Sequence, residues 1–164
     1  MEGFVYKKAS LDELEWIWDK NIAANIGDNR WVAWKPDVIE RNKNGTQCTF
    51  VALCADEPIG EVSLLLSPEC IQGRTDLADG ETVANVNALR VERKHRGNGH
   101  SSKLMQLAES HANNAGIKIL TIGVEPAETR NLAIYLHWGY TKFVRHDIED
   151  DDGELVLYYA KELA

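Results

Sequence analysis

Cysteine is scarce in this chain and arranged for no obvious purpose. Cys48, Cys54 and Cys70 are odd in number and fall in no Cys-x-x-Cys or similar ligand spacing. Cys54 closes the apolar run Phe50-Val51-Ala52-Leu53, where a small buried hydrophobe is expected. His95, His100, His111, His137 and His146 add no metal-ligand spacing, so no metal is expected; surface or satisfied core positions account for them. A reduced, cytoplasmic protein is the reading these residues support.

Long apolar runs are missing too. No stretch approaches the roughly 20 residues that span a bilayer, and Met1-Glu2-Gly3 leads straight into a strand-like run, so neither a membrane partner nor a cleavable signal is expected. Asn44-Gly45-Thr46 is then a chance match to a glycosylation sequon. Positive charge is in deficit: the formal net charge of −8 lacks the basic excess that neutralises phosphates, which argues against a nucleic-acid partner. It would attract a cationic small substrate to an acidic cleft. No linker, repeat or low-complexity segment divides the 164 residues, so residues 1–164 are read as one domain.

What is present is an ordered alternation. Phe4 to Ala9 reads as a strand, followed by Ser10 and Glu13 as a capping box for a helix with Leu11, Leu14, Trp18, Ile22 and Asn25 at helical spacing. Trp31 and Trp34 fall in the connection to a second helix beginning near Pro36-Asp37. Strands follow at 49–55 and 59–66, a hairpin-like pair separated by Asp56-Glu57-Pro58. The segment from Ser67 to Gly80 is long for a connector and suggests a functional excursion. Then come a strand over 83–91 and a helix over 99–115 with Leu104, Leu107, Ala108, His111, Ala112 and Ala115 on one face. Further elements are a strand over 119–124, a helix over 128–138, and strands over 140–146 and 155–161 around a turn at Asp152-Gly153. The order β-α-α-β-β-β-α-β-α-β-β predicts an α/β (mixed α+β) fold.

Between the strand ending at Val91 and the next helix lies Arg93-Lys94-His95-Arg96-Gly97-Asn98-Gly99-His100-Ser101. Two glycines permit a sharp turn that gathers backbone N–H groups, and the first helical turn adds unpaired amides and a positive dipole end. A phosphorylated ligand suits that arrangement; a basic turn that merely caps a helix is the plainer alternative. No P-loop is present, because Gly99 is followed by His100-Ser101 rather than Lys-Ser/Thr. The dinucleotide fingerprint fails as well, since position 102 is Ser.

Leu89-Arg90-Val91 followed by Arg96-Gly97-Asn98-Gly99-His100-Ser101-Ser102-Lys103-Leu104 resembles the acetyl-coenzyme A motif of the GNAT family of N-acetyltransferases. Downstream, Glu125 to Tyr140 resembles the family's second signature, an Asn ahead of a helix ending in Tyr-x-x-x-Gly-Phe/Tyr, here Tyr135-Leu136-His137-Trp138-Gly139-Tyr140. Two positions depart from the pattern. Ser101 replaces Gly or Ala, and Glu128 occupies the usual Asn position with Asn131 one turn on, so either Glu128 or Asn131 could meet the pantetheine arm.

The resemblance implies a mixed, mostly antiparallel central sheet of about seven strands flanked by about four helices. It implies acetyl-CoA as co-substrate, its diphosphate on Arg96, Gly97, Asn98, Gly99, His100 and Ser101. The pantetheine arm would run along Ala88, Leu89, Arg90 and Val91, where the sheet splays, and one N–H there would polarise the thioester carbonyl. Tyr135 would act as general acid toward the departing thiolate. The base is open: Asn85 and Asn87 cannot take a proton but could hold a water, and Glu61 and Glu81 are carboxylates that could equally be solvated. Trp31, Trp34, the Ser67 to Gly80 excursion and Glu149-Asp150-Asp151-Asp152 fall where the family builds its acceptor pocket. The partners implied are acetyl-CoA and an amine acceptor, with a homodimer as a candidate assembly. An acceptor such as a polyamine, amino acid, aminosugar or antibiotic leads. A protein N-terminus or lysine, and a non-catalytic acyl-CoA sensor, are the alternatives.

Overall fold

The computed structural model describes residues 3–149 and 153–164, so the expected turn at Asp152-Gly153 and most of the acidic run lie wholly or partly outside the described residues. Seven strands form a sheet: β1 (Phe4–Lys8), β2 (Gln47–Cys54), β3 (Glu57–Leu65), β4 (Val83–Val91), β5 (Ile119–Val124), β6 (Lys142–Ile148) and β7 (Leu155–Glu162), in the order β1-β2-β3-β4-β5-β7-β6. Four α-helices accompany them among the described residues: α1 (Leu11–Ala24), α2 (Arg30–Asn44), α3 (His100–Asn114) and α4 (Thr129–His137). β4 and β5 pair in parallel, while β1–β2, β5–β7 and β6–β7 are antiparallel. The architecture is the mixed, mostly antiparallel fold expected. None of the described helices is long and apolar enough to cross a membrane.

The chain divides into two compact units: Met1–Leu64 with Ala88–His111, and Leu65–Asn87 with Ala112–Ala164. In the first, Ser10 caps α1 as expected: its hydroxyl accepts from Glu13 N at 3.2 Å, and Glu13 Oε1 accepts from Ser10 N at 2.9 Å. Leu14, Ile17 and Trp18 of α1 pack with Val38 of α2. α2 begins at Arg30, six residues earlier than the sequence suggested, so Trp31 and Trp34 are helical rather than connecting. Asn29 supplies no side-chain cap, and Pro36 sits inside the helix. The carbonyl that loses its partner to Pro36 is that of Val32, an exposed residue. β2 and β3 meet through a tighter turn than expected. Ala55 and Asp56 both have positive φ (48° and 70°), the pattern of a two-residue hairpin whose twist matches its strands. Cys48 is the buried cysteine, and Cys54 is only half-buried at the end of β2.

In the second unit the long excursion is pinned to the core by a few apolar residues. After a short 3-10 turn, Pro68–Ile71, the chain buries Ile71, Leu77 and Ala78 against Leu65 and Tyr158. Asp79 closes it by accepting from the amides of Glu81, Thr82 and Val83 at 2.7–2.8 Å. Partial burial opposes the Asp79 charge, yet those donors outweigh it and bring its pKa to about 2. Arg74 joins the excursion to β6, its Nη1 2.7 Å from Asp147 Oδ2.

Gly123 on β5 lies opposite Tyr158 of β7, and a Cβ there would come within 2.8 Å of Val156 Cγ1 and 2.9 Å of Tyr158 Cε1. Gly123→Ala is therefore expected to destabilise the protein by about 1–3 kcal/mol through overpacking. Urea unfolding checks it; an unmoved midpoint would mean the Tyr158 ring swings aside without penalty.

Candidate functional site

The glycine-rich turn belongs to the first unit. Gly97 and Gly99 both have φ +82°, where a side chain is strained, and the space around each is open. Arg96 Nε donates to Val91 O at 2.9 Å and ties the turn back to the end of β4. Asn98 Nδ2 donates to His95 O at 3.1 Å. The N–H of Lys103 returns to Gly99 O at 3.1 Å, which makes Gly99 the start of α3. The amides from Gly97 to Ser102 donate to no protein group among the described residues, and α3 carries fifteen residues of aligned dipole behind them. These open amides form a cradle whose chemistry suits an anion.

His100 contributes its backbone to that turn and buries its ring. The imidazole is 3% exposed, its Nδ1 2.7 Å from Tyr6 Oη, while Nε2 has no partner. Phe4 packs on the same ring at 4.6 Å. Burial first, then the charges of His95 and Lys103, lowers its pKa, so the ring is neutral at neutral pH. Its role is to anchor the cradle to β1. His111 is half-buried, its ring 5.2 Å from that of Phe50.

β4 approaches the cradle through a break where the resemblance placed a splay, but its left-handed geometry was not foreseen. Its parallel pairing to β5 runs from Val83 to Val86, and Ala88 then adopts φ +57°. A left-handed alanine within a strand is strained, and such strain gathers at functional positions. The only trace in the sequence is the loss of alternation after Asn87, which gives a burial pattern of buried residues followed by a run of half-buried ones. Ala88, Leu89 and Arg90 are half-buried and Val91 is buried. The Arg90 side chain leaves the strand toward α1 and α2. Its Nε donates to Glu61 Oε2 at 3.2 Å, and the same oxygen accepts from Asn21 Nδ2 at 2.7 Å.

The second signature lies in the second unit. Glu128 precedes α4, its Oε1 accepting from Glu125 N at 3.1 Å and its Oε2 from Asn131 Nδ2 at 3.1 Å. Glu128 and Asn131 are thus adjacent, exposed and hydrogen-bonded to each other. Tyr135 follows Asn131 by one turn. Burial, aided by the Glu128 charge, raises its pKa, so the phenol keeps its proton. The Gly-Tyr that ends the motif is a helix stop: Gly139 N donates to Leu136 O and Tyr140 N to Tyr135 O, the paired bonds of a Schellman cap, and Tyr140 is fully buried.

Other candidates separate by burial. Asn85 is a buried pin, its Nδ2 donating to Thr121 Oγ1 at 2.9 Å, and is not available to hold a catalytic water. Asn87 and Glu81 are exposed, whereas Glu61 is 1% exposed and held by Arg90 and Asn21. Trp31 stands between Trp18 at 5.9 Å and Trp34 at 5.2 Å. Trp18 and Asn21, three residues apart on one face of α1, were the neighbours that sequence reasoning missed.

The first unit thus carries a left-handed break in β4 and open amides at the start of α3, and the second carries the Tyr135 helix. The acetyltransferase (GNAT) family model matches residues 11–140, and the chain belongs to that family. It is an acetyl-CoA-dependent N-acetyltransferase. No curated protein matches by sequence. Among solved structures it is similar to an IAA acetyltransferase from Bacillus cereus (19% identity, 98% of this chain and 99% of that one, TM-score 0.66). An aminoglycoside 6'-acetyltransferase type Ii is also similar (16%, 98% and 97%, TM-score 0.74). So is a ribosomal L7/L12 alpha-N-protein acetyltransferase in complex with coenzyme A (13%, 99% and 96%, TM-score 0.69).

Proposed function

We propose that residues 1–164 work as one domain that moves an acetyl group directly from acetyl-CoA to the primary amine of a small molecule. The left-handed break at Ala88, followed by the open amides of Gly97 to Ser102, carries this reading. Acetyl-CoA supplies an activated thioester. The amides of Gly97, Asn98, Gly99, His100 and Ser101 hold its diphosphate, with Arg96, whose own N–H donates to Arg93 O, shaping the turn, and Ala88 to Val91 line its pantetheine arm. An N–H freed beside Ala88 stabilises the oxyanion that develops on the carbonyl. Glu128 and Asn131 bind the arm as a hydrogen-bonded pair rather than as alternatives. Tyr135 gives its proton to the departing thiolate and regains one through water from the nitrogen, which sheds its proton as the amide forms; the raised pKa suits a phenol that stays neutral until that moment.

The similar structures include enzymes named for an aminoglycoside and for a ribosomal protein, so the fold alone does not choose the acceptor. The recessed Glu61–Arg90 pair favours a compact acceptor over a peptide laid along a surface. A free-thiol release assay with acetyl-CoA against a panel of amines and peptides tests this. Thiol release is expected with at least one small primary amine. Release only with peptides would favour protein acetylation, and coenzyme binding without release would favour a sensor.

A further inference from the structure

Arg90 is bound on one edge and open on the other. Its Nε is committed to the buried Glu61 carboxylate, which fixes the plane of the guanidinium. The flat face is covered, with Cζ 4.8 Å from the Trp31 ring centre and 5.7 Å from that of Trp18. The Nη1 and Nη2 groups donate to nothing among the described residues, and the side chain remains 35% exposed. A second donor in the same cluster is also unused. Trp18 is 4% exposed, and its indole N–H is buried without an acceptor. Buried donors are normally paired and an unpaired one is costly, so the Trp18 N–H calls for an acceptor, while the solvent-reached Nη groups of Arg90 are free to exchange water for one.

From this we infer that the acetyl acceptor carries a carboxylate, and that Arg90, stacked on Trp31, reads it with its paired Nη groups. The inference rests on the proposed small-amine transferase and names the substrate class: an amino acid or a related amino-carboxylate. Two planar N–H donors side by side match the two oxygens of a carboxylate, a fit that a lysine ammonium does not offer. Glu61 already balances the arginine charge, so hydrogen-bond geometry rather than net attraction makes the selection. Arg90 stands two residues beyond the Ala88 break, about 7 Å along the strand, which places the subsite beside the proposed acetyl group. The aromatic wall of Trp18, Trp31 and Trp34 would cover an apolar body between carboxylate and amine.

The test uses matched acceptors, each amino acid against the amine formed by its decarboxylation. The wild-type protein should favour the carboxylate-bearing member in kcat/KM by about 10- to 100-fold, the scale of a charged hydrogen-bonded contact. Arg90→Lys, which keeps a cation for Glu61 but removes the fork, should bring that ratio close to one. Should that variant not fold, Glu61→Gln combined with Arg90→Gln removes both charges and should lose the discrimination in the same way. Tryptophan emission on titration with N-acetylated amino acids and with their amides gives a readout that needs no turnover. The free acids should shift it and the amides should not. Equal use of both acceptors by the wild type, or discrimination that survives Arg90→Lys, overturns the inference. So does a loss of acetyl-CoA affinity matching the loss of discrimination, which would assign Arg90 to the coenzyme. If N-acetylated amino acids bind through Arg90 but no amine releases thiol, the transferase reading fails while the carboxylate subsite stands.

Discussion

Tyr135→Phe is expected to lower kcat by at least about 100-fold, the usual contribution of a positioned general acid, with affinity for acetyl-CoA retained. The phenol is partly buried beside the Glu128 carboxylate, and both influences hold its proton on. Phenylalanine keeps the ring that packs near Trp138 at 6.0 Å, so the packing of α4 is preserved and only the transferable proton is lost. Steady-state kinetics alongside calorimetric titration of coenzyme A separates the two effects. Unchanged turnover would remove Tyr135 from the chemistry and leave it as an aromatic packed on the fold.

A comparable loss, in binding rather than rate, is expected from Gly99→Val. The residue has φ +82°, where a side chain costs about 1–2 kcal/mol and a β-branched one more. A Cβ at Gly99 meets nothing within 4 Å, so the penalty is conformational and not a clash. The free turn relaxes to another backbone shape, and the coenzyme must restore the cradle before its diphosphate meets the amides. A fall in acetyl-CoA affinity on the order of 10- to 100-fold follows. Undiminished affinity would show that the amides of this turn are not the diphosphate site.

Much of the fold was legible because its signals are local. The Ser10–Glu13 capping box, the strand over 119–124 and the helical spacing of Leu104, Ala108 and Ala112 each depend on neighbours in the chain. The start of α2 was not legible, since Asn29 makes no side-chain cap and Pro36 looks like a first-turn proline. Nor was the nature of the excursion after Ser67, whose Leu77 and Ala78 are buried only because Leu65 and Tyr158 cover them.

The glycine turn shows the same division. Gly97-Asn98-Gly99 at a strand-to-helix junction pointed to an anion cradle, because glycine's conformational freedom and a helix's unpaired amides are properties of the local chain. Together with the helix ending in Tyr135 and Gly139-Tyr140, it was enough to point to the family. The left-handed Ala88, the ring of His100 turned inward onto Tyr6, and Arg90 laid between Glu61 and Trp31 came only with the tertiary structure. Each depends on residues distant in sequence that set burial and supply or withhold hydrogen-bond partners. Local spacing could mark the glycine turn; only packing among α1, α2, β3 and β4 decided which side chains keep unused donors.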